Sequence, residues 1–462
     1  MNKFAFHIDD FKKVNSSSIY SEDLYIPTEK VSTDSRSLEQ GSIYCALKGD
    51  KFDGHTFIDS ALERGAGLIV ISDKILAEKY FSRTSVLLVP DTQIAYGELA
   101  RIRRRKINAR VLSLTGSSGK TTVKEILATI FAEKFKVFST SKNNNNHIGV
   151  PLTILSAPQA TEYLILEHGT NHFDEIRYSA SIAEPDFAFI TNIGDSHLEY
   201  LIDREGVYRE KSELLNTAKV RGGKVMLYMD DPIIARHASD FPNAVRYGTD
   251  PSNDYVISFN EHDTEGNPVL NIIGNGQSIK LTASLLGKAN SINICTAVAA
   301  AFVCGLNEEE IRRGVKKLVS VPGRLTKTQF SDFCLVDDWY NANPSSMENA
   351  IEFISGNKSC KNKVAILGDM YELGDKTKDF HRHLAQILIK YKINTILLIG
   401  EHTRFTQDEL IKNNYSSLYF EKREDLKVYL SEFDKSDSII LVKGSRGMKM
   451  EEFATFISQM EK

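Results

Sequence analysis

One stretch restricts the fold more than any other: LSLTGSSGKTTVKEIL, residues 112–127. An apolar strand runs into a glycine–serine turn, then Lys120, two threonines and a helix. Nucleotide phosphates need this arrangement. Glycines let backbone N–H groups converge on an anion, and the helix N-terminus adds its dipole. Gly116, Ser117, Ser118, Gly119, Lys120, Thr121 and Thr122 therefore form a candidate phosphate loop. Lys120 would reach the β- and γ-phosphates, and the Thr121 hydroxyl would ligate magnesium. The spacing is the short form G-x-x-G-K-T; the longer form would put glycine where Leu114 stands. The alternative is a plain turn with a surface lysine, and the strand–turn–helix context argues against it.

Such a loop needs a parallel sheet around it. Between about 109 and 322, VLSLTG, YLILEHG, FAFITNIG and KVMLYMD read as strands, and TTVKEILATIFAEKF and EGVYREKSELLNTAK as helices. Residues 254–283 read as a β-meander with turns at Glu265-Gly266-Asn267 and Gly274-Asn275-Gly276, and an alanine-rich helix follows. Residues 1–108 mix short strands (GSIYCALKG, GLIVIS, VLLVP) with turns and end in a helix from about Asp91. Residues 323–462 alternate again, with FCLVDD, KVAILGD, TILLIG and SIILVKG as strands. The expected fold is α/β in three domains: a small α/β N-terminal domain (1–108), a central P-loop ATPase-type domain with a mostly parallel sheet (109–322), and a C-terminal Rossmann-like, doubly wound domain (323–462). The Val321-Pro322-Gly323 turn is the natural boundary.

Composition narrows the partners. A formal net charge of −4 gives no global attraction to nucleic acid or anionic membrane. Six of the ten residues Arg101–Arg110 are basic, which reads as a solvated helix end beside a domain junction. No run approaches the roughly 18 apolar residues of a membrane span, and the charged start does not read as a signal peptide. Five scattered cysteines without CxxC spacing argue against a zinc site or disulfide framework and for a reducing cytoplasm. They read as small core residues, Cys45 and Cys334 most clearly.

A phosphate loop needs acidic help for its cation. YLILEHG delivers Glu167 at the C-terminal end of a strand, where open α/β sheets place ligands. FAFITNIG ends in Thr191-Asn192, and His197 follows in the loop; a neutral imidazole can ligate or orient a cation. Read alone, Glu167 is a solvated carboxylate, His197 a loop histidine and Lys211 a solvated surface lysine.

Together these segments resemble the Mur ligases, which add amino acids to the muramoyl peptide of cell-wall precursors. The likeness rests on STDSRSLEQGSIYCALKGDKFDGHTFI, TGSSGKTT, NNNNHIGVPLTIL, LEHGTNH, TNIGDSHLE, EGVYREK, PGR, DDWYNANPSSM, LGDMYELG and LVKGSRGM. NNNNHIGVPLT, YNANPSSM and LGDMYELG point to the branch that joins D-alanyl-D-alanine to UDP-muramoyl tripeptide. The resemblance implies ATP and two Mg²⁺ ions, a substrate carboxylate activated as an acyl phosphate, and capture of that acyl group by an amine. It assigns Thr121 and Glu167 to one magnesium and His197 to a second. It aligns Lys211 with a lysine that is carbamylated in the family. Lys120, His197, Lys211 and Arg324 would be catalytic. Asn290 matches an adenine-binding asparagine, Arg324 a phosphate contact from across the boundary, and Asp338 a nucleotide contact with Asp337 as fallback. Ser35, Arg36, Lys48, Asp53, Gly54 and His55 match the UDP-sugar side. Asn145, Asn146, Thr191 and Asn192 match the muramoyl-peptide channel, and Asn341, Asn343 and Asp369 would face the dipeptide. A monomer is expected.

Three positions depart from the family pattern: His168 stands for methionine, Ala289 for histidine, and YLIDRE for a Gly-Ser turn after HLE. Individually, DSR could be a turn salt bridge, DGH a tight turn and the asparagine run a polar loop. The rival readings are a sibling or folylpolyglutamate-type ligase adding a single amino acid, a nucleic-acid-dependent P-loop ATPase, and a binding protein that lost catalysis.

Overall fold

The computed structural model describes residues 4–49, 52–262 and 267–460. A nine-stranded sheet carries the phosphate loop. Its order is Gln277–Thr282, Pro268–Gly274, Tyr255–His262, Val245–Gly248, Lys224–Tyr228, Phe187–Ile190, Arg110–Thr115, Tyr163–Glu167, Val137–Ser139. The seven strands from Tyr255–His262 onward run parallel, and the first two hairpins are antiparallel. The expected meander is present. Asn275 and Gly276, both left-handed, close its second hairpin, as a two-residue Asn-Gly loop requires. Glu265 and Gly266 of the other expected turn lie outside the described residues.

The C-terminal segment forms a six-stranded sheet in the order Thr326–Gln329, Phe333–Asp338, Ser438–Lys443, Asn362–Leu367, Thr395–Ile399, Leu418–Phe420, parallel except for its first strand. Side chains alternate between its faces. Cys334 and Val336 join Ile351 and Leu384 in one core, and Phe333 and Leu335 join Phe453 in another. Two covered faces explain why these strands read as continuous apolar runs.

The N-terminal segment forms a five-stranded sheet in the order Ser18–Tyr20, Ser85–Leu88, Leu68–Ile71, Ile43–Cys45, Val31–Ser32. One face buries Ile43, Cys45 and Leu68 in a core that continues through Tyr96 and Leu99 of helix Thr92–Lys106 to Val111, Val150 and Leu164 of the central segment. That helix explains the basic run, and the structure corrects its reading as a solvated end. Arg103 and Arg104 are buried. Arg103 donates to Ala157 O at 2.8 Å, and Arg104 donates to the carbonyls of Ala183, Glu184 and Ala109 and to Asp186 Oδ2 at 2.8 Å. Arg105 pairs with Glu184. These cations staple the junction. All five cysteines are free; four are buried and Cys304 is half-buried.

Candidate active site

The phosphate loop leaves strand Arg110–Thr115 between its two parallel neighbours, at the C-terminal edge of the sheet. Helix Lys120–Phe131 starts directly after Gly119, which is left-handed at φ +76°. A Cβ on Gly116 would sit 1.9 Å from Thr191 Oγ1, and one on Gly119 would sit 2.6 Å from Asn293 Oδ1. A side chain at Gly116 would displace Thr191, and one at Gly119 would press on the Asn293 amide from a strained left-handed backbone. The loop is braced from the next strand end. Thr191 Oγ1 donates to Ser118 O at 2.6 Å, Asn192 Oδ1 accepts from Ser118 N at 3.0 Å, and Asn192 Nδ2 donates to Ser118 O at 3.1 Å. Thr191 and Asn192, expected in the peptide channel, border the cavity while their side chains hold the loop. Lys120 Nζ donates to Gly116 O at 2.7 Å, and burial lowers its pKa.

Glu167 ends strand Tyr163–Glu167 and is buried, which corrects its solvated reading. Asn145 Nδ2 donates to its Oε1 at 2.8 Å, and its Oε2 has no partner. Its backbone N–H donates to Thr140 Oγ1 at 3.0 Å, and Thr140 O accepts from the buried Lys124 ammonium at 2.6 Å. Lys211 is fully buried on helix Arg204–Val220 and its Nζ has no partner, so it is no surface lysine. Burial first, then the Lys120 charge, push its pKa well below the lysine range, which favours a neutral amine. His197 also borders the cavity. Its Nδ1 lies 2.6 Å from Glu372 Oε2, off the line of a hydrogen bond, and burial lowers its pKa.

The C-terminal segment closes the other side. Arg324 stacks on Tyr340, 4.2 Å from the ring centroid, and donates to Thr121 Oγ1 at 3.0 Å. Asn343 caps helix Pro344–Ser355 and its Nδ2 reaches Ser117 O at 3.4 Å. Asp338 accepts from the buried Lys443 ammonium at 2.6 Å and from Leu325 N at 3.1 Å; burial raises its pKa, with Lys443 opposing. Asp337 does not border the cavity. Burial and the Asp338 charge push its pKa up to about 6. The cavity is about 550 Å³, and Asn145, Asn146, Asn290 and Asn341 also border it. Asn146 Oδ1 accepts from Gly149 N at 2.8 Å, and Asn290 Nδ2 donates to Leu286 O at 2.9 Å.

Several expected residues lie elsewhere. Asp369 does not border the cavity. Its Oδ1 accepts from His402 N and Thr403 N, capping helix Thr403–Lys412. In the N-terminal segment, Arg36 makes a two-pronged bond to Asp34, so DSR contains a turn salt bridge. Asp53 Oδ1 accepts from His55 N and lies 2.6 Å from His55 Nδ1, and a Cβ on Gly54 would meet Leu47 O at 2.7 Å, so DGH is a tight turn. Ser35 is buried, Lys48 exposed, and none of these six residues borders the cavity. Sequence reasoning missed Glu372, Tyr340, Asn293 and Lys443. Glu372, Tyr340 and Lys443 lay inside quoted motifs without a role.

No group of three or more His, Cys, Asp or Glu among the described residues could hold a metal by itself. A partnerless carboxylate oxygen on Glu167, facing Lys120 electrostatically, does fit a magnesium ion that keeps water and phosphate oxygens in its shell.

Three family descriptions match the chain: Mur ligase family, catalytic domain, at residues 28–104; Mur ligase middle domain at 114–301; and Mur ligase, glutamate ligase domain, at 323–446. The UDP-N-acetylmuramoyl-tripeptide–D-alanyl-D-alanine ligase of Bacillus subtilis is 34% identical over 427 residues, 91% of each chain. A crystal structure of MurF from Acinetobacter baumannii superposes with a TM-score of 0.88 at 28% identity, covering 99% of both chains. The MurF ligase of Thermotoga maritima, in complex with ADP, superposes at 0.81 with 26% identity over 93% of this chain and 97% of that one.

Proposed function

The chain belongs to the Mur ligase family, and we propose that it spends ATP to join D-alanyl-D-alanine to UDP-N-acetylmuramoyl-tripeptide in peptidoglycan precursor synthesis. The observation that carries the reading is convergence. The phosphate loop, the half-satisfied Glu167, His197 and Arg324 meet at one cavity between the central and C-terminal segments.

A carboxylate is a poor acyl donor at neutral pH. Its oxygen attacks the γ-phosphorus of ATP, the bond to the β-phosphate oxygen breaks, and ADP leaves behind an acyl phosphate. The dipeptide amine then attacks the acyl carbon, loses a proton, and phosphate departs through a tetrahedral intermediate. Positioning and charge stabilisation do most of this work. The loop N–H groups and Lys120 hold the β- and γ-phosphates, and Arg324 exchanges Thr121 for phosphate oxygen. Asn290 and Asp338 take the nucleoside. Bound magnesium would neutralise phosphate charge, held by Thr121 and Glu167 at one position and by His197 with Lys211 at a second. For Lys211 this needs chemistry: its neutral amine adds to CO₂ and loses a proton, giving a carbamate oxygen where an ammonium would repel the cation. Residues 1–108 take the UDP-sugar, through Ser35, Arg36, Lys48, Asp53, Gly54 and His55. Residues 109–322 take ATP, with Asn145 and Asn146 beside the peptide. Residues 323–462 take the dipeptide, with Asn341 and Asn343 facing it. The proposed setting is the cytoplasm and the proposed state a monomer; no helix among the described residues is long and apolar enough to cross a membrane.

The test supplies ATP, magnesium and UDP-muramoyl tripeptide, and compares D-alanyl-D-alanine with single amino acids by ADP release and product mass. Dipeptide-dependent ADP and a product longer by two alanines are expected. ADP release with a single amino acid would favour the sibling ligases instead.

A further inference from the structure

Among the proposed catalytic side chains of the central segment, His197 has a close charged neighbour from across the boundary. Glu372 Oε2 lies 2.6 Å from His197 Nδ1. Two lone pairs that close would repel strongly, so the carboxylate favours a proton on Nδ1 even though the contact is off the line of a hydrogen bond. Ring nitrogens that face a cation or phosphate are commonly set this way, by a carboxylate on the other nitrogen.

Both backbones are built for the contact. His197 and Glu372 are left-handed at φ +54° and +63°, a region that non-glycine residues rarely occupy and that persists where surrounding structure enforces it. The Glu372 turn is tied to its own domain on both sides. Met370 N donates to His381 Nε2 at 3.1 Å, Tyr371 N donates to Ser445 Oγ at 2.8 Å, and left-handed Gly374 follows. The same turn is moulded to the histidine loop. Glu199 N donates to Glu372 O at 3.3 Å, and a Cβ on Gly374 would approach Glu199 Cα to 3.0 Å. The carboxylate is thus presented by a rigid turn only when the two segments are docked.

We propose that Glu372 is a positioning residue that completes the active site from the C-terminal segment, holding the His197 ring with Nδ1 protonated and Nε2 as its lone-pair nitrogen. The inference rests on the ligase reading for what Nε2 serves. It makes assembly of the catalytic histidine conditional on docking of the segment proposed to take the dipeptide.

Two measurements on the full chain test it. Spectra of ¹⁵N-histidine protein at about pH 8, above the ordinary imidazole range, with His197 assigned by its own substitution, should show the Nδ1–H tautomer in the wild type. Glu372→Ala should shift it to a mixture. Kinetically, Glu372→Ala should lower kcat by about 10- to 100-fold, as loss of such a partner does, with KM for ATP unchanged. Glu372→Gln, whose amide oxygen can still face the Nδ1 proton, should recover most of it. In a His197→Ala background, Glu372→Ala should add nothing. An unchanged tautomer, wild-type kcat in Glu372→Ala, or an equal further loss without His197 would each overturn the proposal. A wild type that does not ligate would sink the ligase reading, and the spectra would still judge the contact.

Discussion

Glu167→Gln separates function from stability because the two should move in opposite directions. The side chain is 1% exposed and holds one hydrogen bond, from Asn145 to Oε1; Oε2 has no partner. An unsatisfied buried polar atom costs about 1–3 kcal/mol, more when charged. Glutamine keeps an oxygen for Asn145 and removes the charge. The loss is attraction to Lys120, whose own pKa feels Glu167. Lys120 retains its bond to Gly116 O, so the offset is partial. The nucleotide-free variant should therefore gain on the order of 1 kcal/mol, which for a domain of this size raises Tm by about 2–4 °C. Ligation should fall roughly 10²- to 10³-fold, the usual loss of one well-aimed electrostatic group. Differential scanning calorimetry without nucleotide and initial rates with saturating ATP read the two effects. A lower Tm with near-normal ligation would make Glu167 a structural residue and refute the reasoning.

Lys120→Ala loses one internal hydrogen bond, about 1 kcal/mol, yet should lower kcat/KM by roughly 10³-fold or more; unchanged turnover removes Lys120 from phosphate binding. Lys211→Ala should be inactive and partly rescued by a short carboxylic acid, and full activity without added acid would exclude the carbamate. In CO₂-free buffer the unfolded chain binds the Lys211 proton more tightly than the folded one. Stability should then rise with pH through the window below the ordinary lysine value of 10.5, and Lys211→Met should flatten that rise in urea titrations at stepped pH. Arg104→Leu strips donors from three buried carbonyls and Asp186, so urea unfolding should report a loss of about 3–5 kcal/mol. A loss under about 1 kcal/mol would mean that the junction is held by its apolar core alone.

What was legible in the sequence was whatever is contiguous and periodic. The phosphate loop is seven consecutive residues, and the parallel strands are apolar runs because both their faces are covered. Three-residue Val137–Ser139 is a half-buried edge strand with no run to read, and the sequence reading took the segment before it as helix alone. Charges were misjudged where tertiary structure decides their surroundings. Lys211 and Arg104 sit on helices of ordinary polarity, and nothing local says that the polar position faces a core. Glu372 reaches His197 through a turn about 175 residues away, a closeness that no spacing rule contains. Asp369 was placed at the dipeptide by resemblance, and a helix N-terminus claims its oxygen instead.

The way the three segments are joined bears on how the reaction is ordered. Residues of the N-terminal sheet and the central sheet share one apolar core, with Arg104 bonded across it, so they move together if at all. The C-terminal sheet has two cores of its own and meets the phosphate loop mainly through polar contacts: Arg324 to Thr121, Asn343 to Ser117, Glu372 to His197. Net contributions of about 0.5–1.5 kcal/mol per hydrogen bond make such contacts exchangeable for ligand atoms. One must be exchanged. A guanidinium donating to Thr121 Oγ1 would stand against a cation on the same oxygen, so magnesium held at Thr121 as proposed would exclude the Arg324–Thr121 bond. On that proposal, arrival of the nucleotide would free Arg324 to take a phosphate oxygen. The step that charges the loop would then also reset the domain boundary.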